Sequence, residues 1–556
     1  MKPVYSTNST REVSNFLDSI APQFESGERG QAILDGVKDQ IKNKPGTAAL
    51  PARLQALLGR MTEGDEGRVL DSVAAGIAHF KAEHGTLPTA DVIEAAIQQG
   101  ETAFMGIDQR GNLLDSATSA HHDQMSLQPN RAVVATLSAI AEAIPFAAYL
   151  PVDIGSNQAK LAILSHMAGN TYGDYTANGL MDGTAAGDVY TSSSRFVRFD
   201  ISGSQPFNRK FTKTNLADDL SFCDPNGVAL PVLRGRTIIY VNGIPVGQDA
   251  ATGSAANSPI SCTANIAGVD YTIAGYVTVA NGDVQLTTIS PTLPVGTEVL
   301  GQAFIDYETS PSLIPNVLVK AEVWDLYANP WRVKTGISID ASGQIKNELG
   351  LDADSEALMA IRTQMSMERH YQALRMARAL GYNNQDTYDF DYDGQIAQKN
   401  RAGIWQDFMP VLANLDQAMA NKTMDHGITH IYAPSWVVSQ WEGLPSDMFT
   451  PSGIAKRPGI YRAGRLFGKY EVYYSPKGPT QSADLTTAEL TCIGRSSQVA
   501  RCPIVLGDAI APTFIPLGTQ SDLVNGSAMF ARDFTVVNPH QPSAMGCARL
   551  TITNMK

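Results

Sequence analysis

The sequence predicts an α+β protein, and three observations carry that reading. Residues 354–380 have the length, the flanking residues and the apolar stripe of one long helix. Asn242-Gly243 and Asn281-Gly282 each lie between apolar runs, the strongest short-range signal of a β-hairpin. The remaining pattern shows no regular βαβ repeat, which argues against a doubly wound nucleotide-binding sheet.

In chain order, residues 1–125 read as helical and polar. Leu70–Glu83 and Ala90–Gln99 are helix-like, but Gly and Pro separate them and no compact core signature emerges. A small helical domain or an extended arm is expected. Residues 131–144 are apolar and Ala-rich, as in a buried helix that Pro145 ends. Phe146–Ile154 and Lys160–Met167 are strand-like. Ala168–Tyr190, rich in Gly, Asn, Asp, Tyr and Thr, is expected to be a long exposed loop. From 195 to about 335 the chain is β in character, and Tyr271–Val279 alternates as a half-buried strand does. No Lys or Arg occurs between Thr237 and Val319, a composition shift that marks a separate β-sandwich or barrel at about 225–310.

In the long helix, Asp354 or Ser355 can cap the start and Glu356 favours the first turn. Leu358, Ile361 and Met365 open an apolar stripe that Met367, Tyr371 and Leu374 continue. Arg375 and Arg378 suit the last turn, and Gly381 can stop it. Such a helix is roughly 40 Å long, the dimension of a structural spine. Trp405–Ala420 is a second amphipathic helix, and 428–556 alternate short strands and loops with one helix near Ser435–Trp441.

At 556 residues the chain has room for about three to five domain-sized units. It is 43% hydrophobic but only 17% charged, with 47 Gly and 30 Pro. That composition suits a surface covered by neighbours, and equally an ordinary loop-rich β protein. The net charge of −13 argues against a dedicated nucleic-acid binder, though not against a wall that merely faces nucleic acid. No apolar run of about 18 residues is present, and Met1–Thr10 lack the pattern of a signal peptide. The five cysteines, Cys223, Cys262, Cys492, Cys502 and Cys547, form no C-x-x-C pair, so free buried thiols are expected.

Several motifs carry candidate chemistry. Gly464-Arg465-Leu466-Phe467-Gly468-Lys469-Tyr470 has one residue too few for a phosphate loop and Tyr470 where a Ser or Thr would hold magnesium. It leads into Tyr470–Tyr474, so a turn before a strand is the better reading. His426 and His430 have zinc-like spacing, but Gly427 and the strand-like Ile428–Ala433 oppose a helix. His121-His122-Asp123 reads as a solvated loop. Asp389-Phe390-Asp391-Tyr392-Asp393-Gly394 matches the first six positions of a calcium loop, making Asp389, Asp391 and Asp393 candidate ligands. Asn400 stands where the bidentate Glu belongs, so an acidic connector is the competing reading. No nucleophile elbow and no His/Cys pairing occurs. The expectation is therefore a non-enzyme, with no catalytic residue and no cofactor.

From about residue 131 onward the sequence resembles tailed-bacteriophage major capsid proteins, in particular the T-even-like branch. Ala143-Ile144-Pro145-Phe146 through Val152-Asp153, the 354–380 helix, the Asp-rich run at 389–394 and the Trp405 helix occur in the family's order. So do Thr429–Ala433 with Pro434-Ser435 and Val437-Val438, Gly468-Lys469-Tyr470-Glu471-Val472-Tyr473, Pro503–Pro516, and Ala531-Arg532-Asp533-Phe534 through Asn538-Pro539. The resemblance implies a Hong Kong 97-like phage capsid fold, with an N-terminal arm, an extended loop, a peripheral domain carrying the spine helix, and an axial domain.

Mapped on this chain, the resemblance implies a helical N-terminal region or arm at 1–125 and the start of the peripheral domain at 126–167. The extended loop takes 168–345 with the β insertion at about 225–310, and the spine helix 346–384. The axial domain is 385–540, and 541–556 return as a strand to the peripheral domain. It further implies an icosahedral virion shell built of pentamers and hexamers, assembled in a bacterial cytoplasm. Partners would be copies of itself, portal, scaffold and decoration proteins, and packaged DNA faced non-specifically, with no membrane. Residues 1–125 match no named part of the family, and removal by a protease, a scaffold-like role and an interior arm all stay open. A bacterial encapsulin-type nanocompartment shell shares the implied fold. A tail or adhesin protein and a hydrolase with a β binding module are the competing classes.

Overall fold

A computed structural model describes residues 7–25, 36, 50–105, 132–152, 156–216, 218–219, 222–253, 255–350, 353–519 and 523–556. The chain divides into two compact units: Met1–Ile163 with Val323–Lys556, and Leu164–Glu322. Helices and strands are numbered in chain order.

The first unit holds an eight-stranded mixed sheet. Its order is β13 (Gln385–Asp389), β22 (Cys547–Thr553), β19 (Ala488–Ile493), β14 (His430–Ala433), β17 (Tyr470–Tyr474), β16 (Tyr461–Leu466) and β15 (Phe449–Pro451), with β18 (Thr480–Gln481) beside β19. Helix α7 (Arg401–Thr423) packs on it through Ile404, Trp405, Phe408, Leu412, Leu415 and Met419, one 3.6-residue stripe. Asn400 caps the helix by accepting from the Gly403 N–H at 2.7 Å. Its other end is fixed by buried Asp416, which accepts from the Ile428 N–H at 2.6 Å, the Tyr470 hydroxyl at 2.9 Å and the Lys469 ammonium. Trp441 of α8 (Ser435–Trp441) meets Trp405 edge to face at 5.5 Å.

A second sheet runs β1 (Ala148–Tyr149), β20 (Ile504–Thr519), β21 (Val524–Val537), β12 (Asn329–Ser338). Short β1 pairs with Val505 and Leu506, and beyond that point no strand among the described residues pairs with this side of β20. Pro512 and Pro516 lie there, where a missing N–H breaks little of the ladder. The long helix α6 (Ala353–Leu380) has 28 residues. Ala373, Leu374 and Ala377 bury its C-terminal half.

Of the small helical domain or extended arm expected at 1–125, the described helices form neither separately, since they share a core with the rest of the first unit. Helices α1 (Thr7–Glu25), α2 (Ala52–Leu58), α3 (Glu63–His84) and α4 (Ala90–Met105) contribute to one core. Phe16, Ile20, Leu54, Val73, Ile77, Ile93 and Ile97 share it with Ile144, Leu374, Tyr432, Tyr473 and Leu506. The glycines that read as breakers are contact points. A Cβ on Gly76 would meet Ile140 at 3.0 Å, and one on Gly100 would collide with the Thr136 hydroxyl, so both let their helices approach residues 132–141, here α5.

Arg495 fastens this layer. Its guanidinium donates to the Pro145 and Ala147 carbonyls, to the Thr89 hydroxyl at 2.6 Å and to Asp91 at 2.9 and 3.0 Å. Asp91 also accepts from the Tyr149 N–H at 2.9 Å. Burial opposes the Arg495 charge, yet Asp91 outweighs it and holds the pKa above the usual arginine value.

The second unit is a β-sandwich. One sheet is β3 (Ser194–Phe199), β10 (Val299–Phe304), β5 (Ile238–Val241), β6 (Ile244–Gln248); the other is β4 (Phe207–Lys210), β9 (Asp283–Ser290), β8 (Val269–Thr278), β7 (Asn257–Ile266). Val197, Ile239, Val299, Ile260, Ile273 and Leu286 fill the space between them. Asn242 and Gly243 have φ of 49° and 79°, as a two-residue hairpin turn with both residues left-handed requires. The chain enters this unit along β2 (Gln158–Ala168) and leaves along β11 (Val317–Tyr327).

Three expected boundaries are corrected. The β unit spans 164–322 and not about 225–310, because β3 and β4 supply strands to its two sheets from before 225. Residues 168–190 are no exposed loop: Tyr172, Tyr175 and Tyr190 pack with Leu230 and Ile305 in a core of their own. The axial range 385–540 is divided, since β21 pairs with β12 and with β20 in the second sheet, while β22 from 541–556 joins β13 and β19 in the eight-stranded sheet.

Replacing Arg495 by Ala strands the Asp91 charge in the core. Unfolding free energy should fall by about 3–5 kcal/mol. Denaturant titration followed by tryptophan fluorescence checks this, and Asp91→Ala combined with Arg495→Ala should cost less than the two single losses added.

Candidate assembly surface and buried ionic node

The residues singled out in the sequence do not converge. Asp389 ends β13, Asp391 stands in the left-handed region with φ of 38°, and Asp393 lies in the turn of helix Tyr392–Gln395. Asp389 accepts from the Asp391 N–H at 3.1 Å and from the Asn554 amide at 2.9 Å, so it fixes the connector against the C-terminal strand. Among the described residues no group of three or more His, Cys, Asp or Glu side chains is placed to hold a metal ion. His426 and His430 separate: His426 pairs with Asp425 at 3.3 Å, whereas His430 contacts the Thr429 hydroxyl at 2.7 Å. Phe467 and Gly468, with φ of 51° and 68°, form the turn between β16 and β17, in line with the turn reading of that motif. His121-His122-Asp123 lie outside the described residues.

The basic run from Lys456 to Lys469 offers no open phosphate-binding face. Lys456 pairs with Glu442, Arg457 with Glu83, Arg462 and Arg465 with Glu471, and Lys469 with Asp416. Among the described residues no helix is long and apolar enough to cross a membrane.

Two further features, which sequence reasoning missed, are candidates. The first is an ionic node. Asp508 and Asp533 stand directly opposite on β20 and β21, and Arg369 of α6 reaches them at 2.7 and 3.6 Å. Gln99 of α4 donates to Asp508 at 2.6 Å. Burial opposes the Arg369 charge, but the two carboxylates prevail and hold its pKa above the usual value. Burial pushes Asp533 up, against Arg369 and with the charge of Asp508. Glu142, beside Arg362 at 3.0 Å, is likewise pushed up by burial. These groups border a cavity of ≈ 70 Å³ with Gln99, Tyr149 and Trp331. The arrangement clamps α4 and α6 to the sheet. One signal was readable: Arg369 interrupts the stripe between Met365 and Ala373.

The second feature is a surface of unburied elements in the first unit. From Ser355 to Gln372 no residue of α6 is fully buried, although Leu358, Met359, Ile361, Met365 and Met367 lie there. Met359 is 64% exposed. Strand β12 is an end strand whose residues are all at least partly exposed, Val333 among them. Val323 and Tyr327 of β11 are 56% and 61% exposed, and Leu517 and Leu523 are open at the far ends of β20 and β21. A helix with so little packing gains little stability by itself. A free strand edge with apolar neighbours is a template for pairing with another chain.

No protein-family profile matches the chain, and no curated protein sequence matches it. Among solved structures it is similar to the capsid of jumbo bacteriophage PhiKZ, at 10% identity and a TM-score of 0.39, covering 74% of this chain and 92% of that one. It is similar to the holo-SrpI encapsulin complex of Synechococcus elongatus PCC 7942, at 8% identity and a TM-score of 0.29, covering 43% and 79%. The capsid of Myoviridae phage XM1 gives 9% identity and a TM-score of 0.27, covering 43% and 78%.

The node makes opposite demands on its two carboxylates. Asp508→Ala should cost about 3–5 kcal/mol, because it removes the nearer partner of a buried cation. Asp533→Asn should leave the pH 7 denaturation midpoint unchanged or higher. An acid whose pKa is raised in the fold adds stability only at low pH and loses it as pH rises, so removing that titration removes a neutral-pH penalty.

Proposed function

We propose that this protein is a structural shell subunit, the major capsid protein of a tailed double-stranded DNA bacteriophage. It self-assembles into pentamers and hexamers of an icosahedral head that encloses the genome. The observation that carries the reading is exposed Met359 and Met367 on α6 together with the outer edge of β12, on which no strand pairs among the described residues. The serial sequence resemblance from residue 131 to Pro539 supports the same reading.

On this reading α6 is the spine of the peripheral domain, and the eight-stranded sheet with α7 is the axial domain. The β-sandwich of 164–322 is an insertion in the extended loop that braces neighbours or receives a decoration protein. Subunits associate head to tail around symmetry axes, so rings close. Such obligate contacts bury on the order of 2,000 Å² or more. Portal and scaffold proteins are the further partners. The net charge of −13 is compatible with an interior that faces DNA without reading its sequence.

Negative-stain microscopy of the purified protein tests this directly. Closed particles or rings are expected, and a protein that stays monomeric under all assembly conditions would sink the reading. Val323→Asp with Val333→Asp should keep the circular dichroism spectrum and lose particles. Particles purified from host cells should contain DNA; protein cargo without DNA would place the chain with nanocompartment shells instead.

A further inference from the structure

Three imidazoles from three different elements meet inside the first unit. His84 ends α3, His370 lies on α6, and His430 starts β14. Two tyrosines link them. Nδ1 of His84 lies 3.1 Å from the Tyr473 hydroxyl, and Nε2 of His370 lies 3.1 Å from the Tyr432 hydroxyl. The Tyr432 and Tyr473 rings stack at 5.1 Å. Phe146 closes the group, 5.8 Å from His370 and 6.5 Å from His430, and the His430 ring lies 5.9 Å from that of Tyr473. The neutral imidazoles of His84 and His370 can each accept a tyrosine proton here. As imidazolium ions they could only donate.

The carboxylates that face the cluster are held elsewhere, which leaves an imidazolium only the hydroxyls of Thr429, Tyr432 and Tyr473. From α3 the cluster faces His79 and Glu83, and Glu83 is paired with Arg457 at 2.5 Å. From β16 and β17 it faces Arg462 and Glu471, which pair at 2.6 Å. From the segment after β19 it faces Arg495, which holds Asp91 of α4. Each of these carboxylates is already engaged by an arginine.

We propose that His84, His370 and His430 form an acid-sensitive latch, which in its neutral state holds the C-terminal end of α3 to α6 and the eight-stranded sheet and releases it on protonation. Burial lowers all three imidazoles from 6.5 to about 3, and for His84 the two other histidines add to it. The sign follows. A base whose pKa is depressed in the closed form contributes full stability above 6.5, and loses it as pH falls from 6.5 towards 3. Release that takes up three protons shifts the open-to-closed ratio by up to about a thousandfold per pH unit in that window. The latch is a property of the first unit alone and does not depend on the shell reading.

Hydrogen exchange of the full chain between pH 8 and 4, corrected for intrinsic rates, tests it. Exchange in 63–84 should rise steeply below pH 6.5 while α7 stays protected. His84→Gln, His370→Gln and His430→Gln keep a neutral acceptor; each should flatten the rise by about tenfold per pH unit, and the triple variant should abolish it. If the triple variant does not fold, the single variants and histidine NMR of the native protein decide. Rings that titrate near 6.5 in the folded state, or a rise unchanged in the variants, would overturn the latch.

Discussion

The contact on which the first unit depends is the buried pairing of Arg495 with Asp91, two residues 404 positions apart. A guanidinium taken out of water is tolerable only when its donors find acceptors. Arg495 finds them on two distant segments, the start of α4 with the Thr89 that precedes it and the turn before β1, while it sits itself on the loop beyond β19. The backbone N–H of Tyr149 then uses the remaining capacity of Asp91. Neither charge can be satisfied unless all these segments are in register. Arg369 repeats the device between α6, β20 and β21, with Gln99 drawing α4 to the same point. Apolar burial drives the collapse of this unit; the two arginines specify how its layers are oriented.

That division explains what is legible in the sequence. Features set by neighbours in the chain can be read from it: helix 354–380, the short helix Ser435–Trp441, strand Tyr470–Tyr474 and the Asn242-Gly243 turn. Features set by distant partners cannot. The N-terminal helices look polar because their apolar stripes are narrow and broken by Gly76 and Gly100, whose lack of a side chain matters only against Ile140 and Thr136. The 168–190 segment looks solvated because its core is made of tyrosines, whose hydroxyls find partners such as the Ser192 carbonyl for Tyr172. Of the candidate site, the Asp-rich run is visible as composition, but its carboxylates serve a turn. Asp508 and Asp533 become a pair only through the β20–β21 register.

Low charge suggests a covered surface, yet much of it comes from the β-sandwich. Outward positions of β7 carry Asn257, Ser261, Thr263 and Asn265 while Ser258, Ile260, Cys262 and Ala264 point inward. Neutral polar residues solvate a sheet as well as charges do. Coverage is therefore indicated by particular exposed side chains in the first unit and not by the average.

Those side chains make the stronger case because the alternatives are costly. Among the described residues no strand pairs with the outer edge of the ten-residue β12; such an edge invites indiscriminate pairing, and edge strands in monomers are normally blunted. Here the blunting is slight: Arg332 and Lys334 are the only charges on β12, and neither face of the strand is buried. A surface of this kind persists in a folded chain when something specific occupies it. The partly covered half of α6, with Met359 and Met367 exposed, is anchored by Arg369 and by Ala373, Leu374 and Ala377. An anchored helix loses little entropy when a neighbour covers its free half, so association there opposes only the ordering of side chains. On the proposed reading the occupant is another copy of this chain, since a repeated, directional contact between identical subunits is what a closed shell requires.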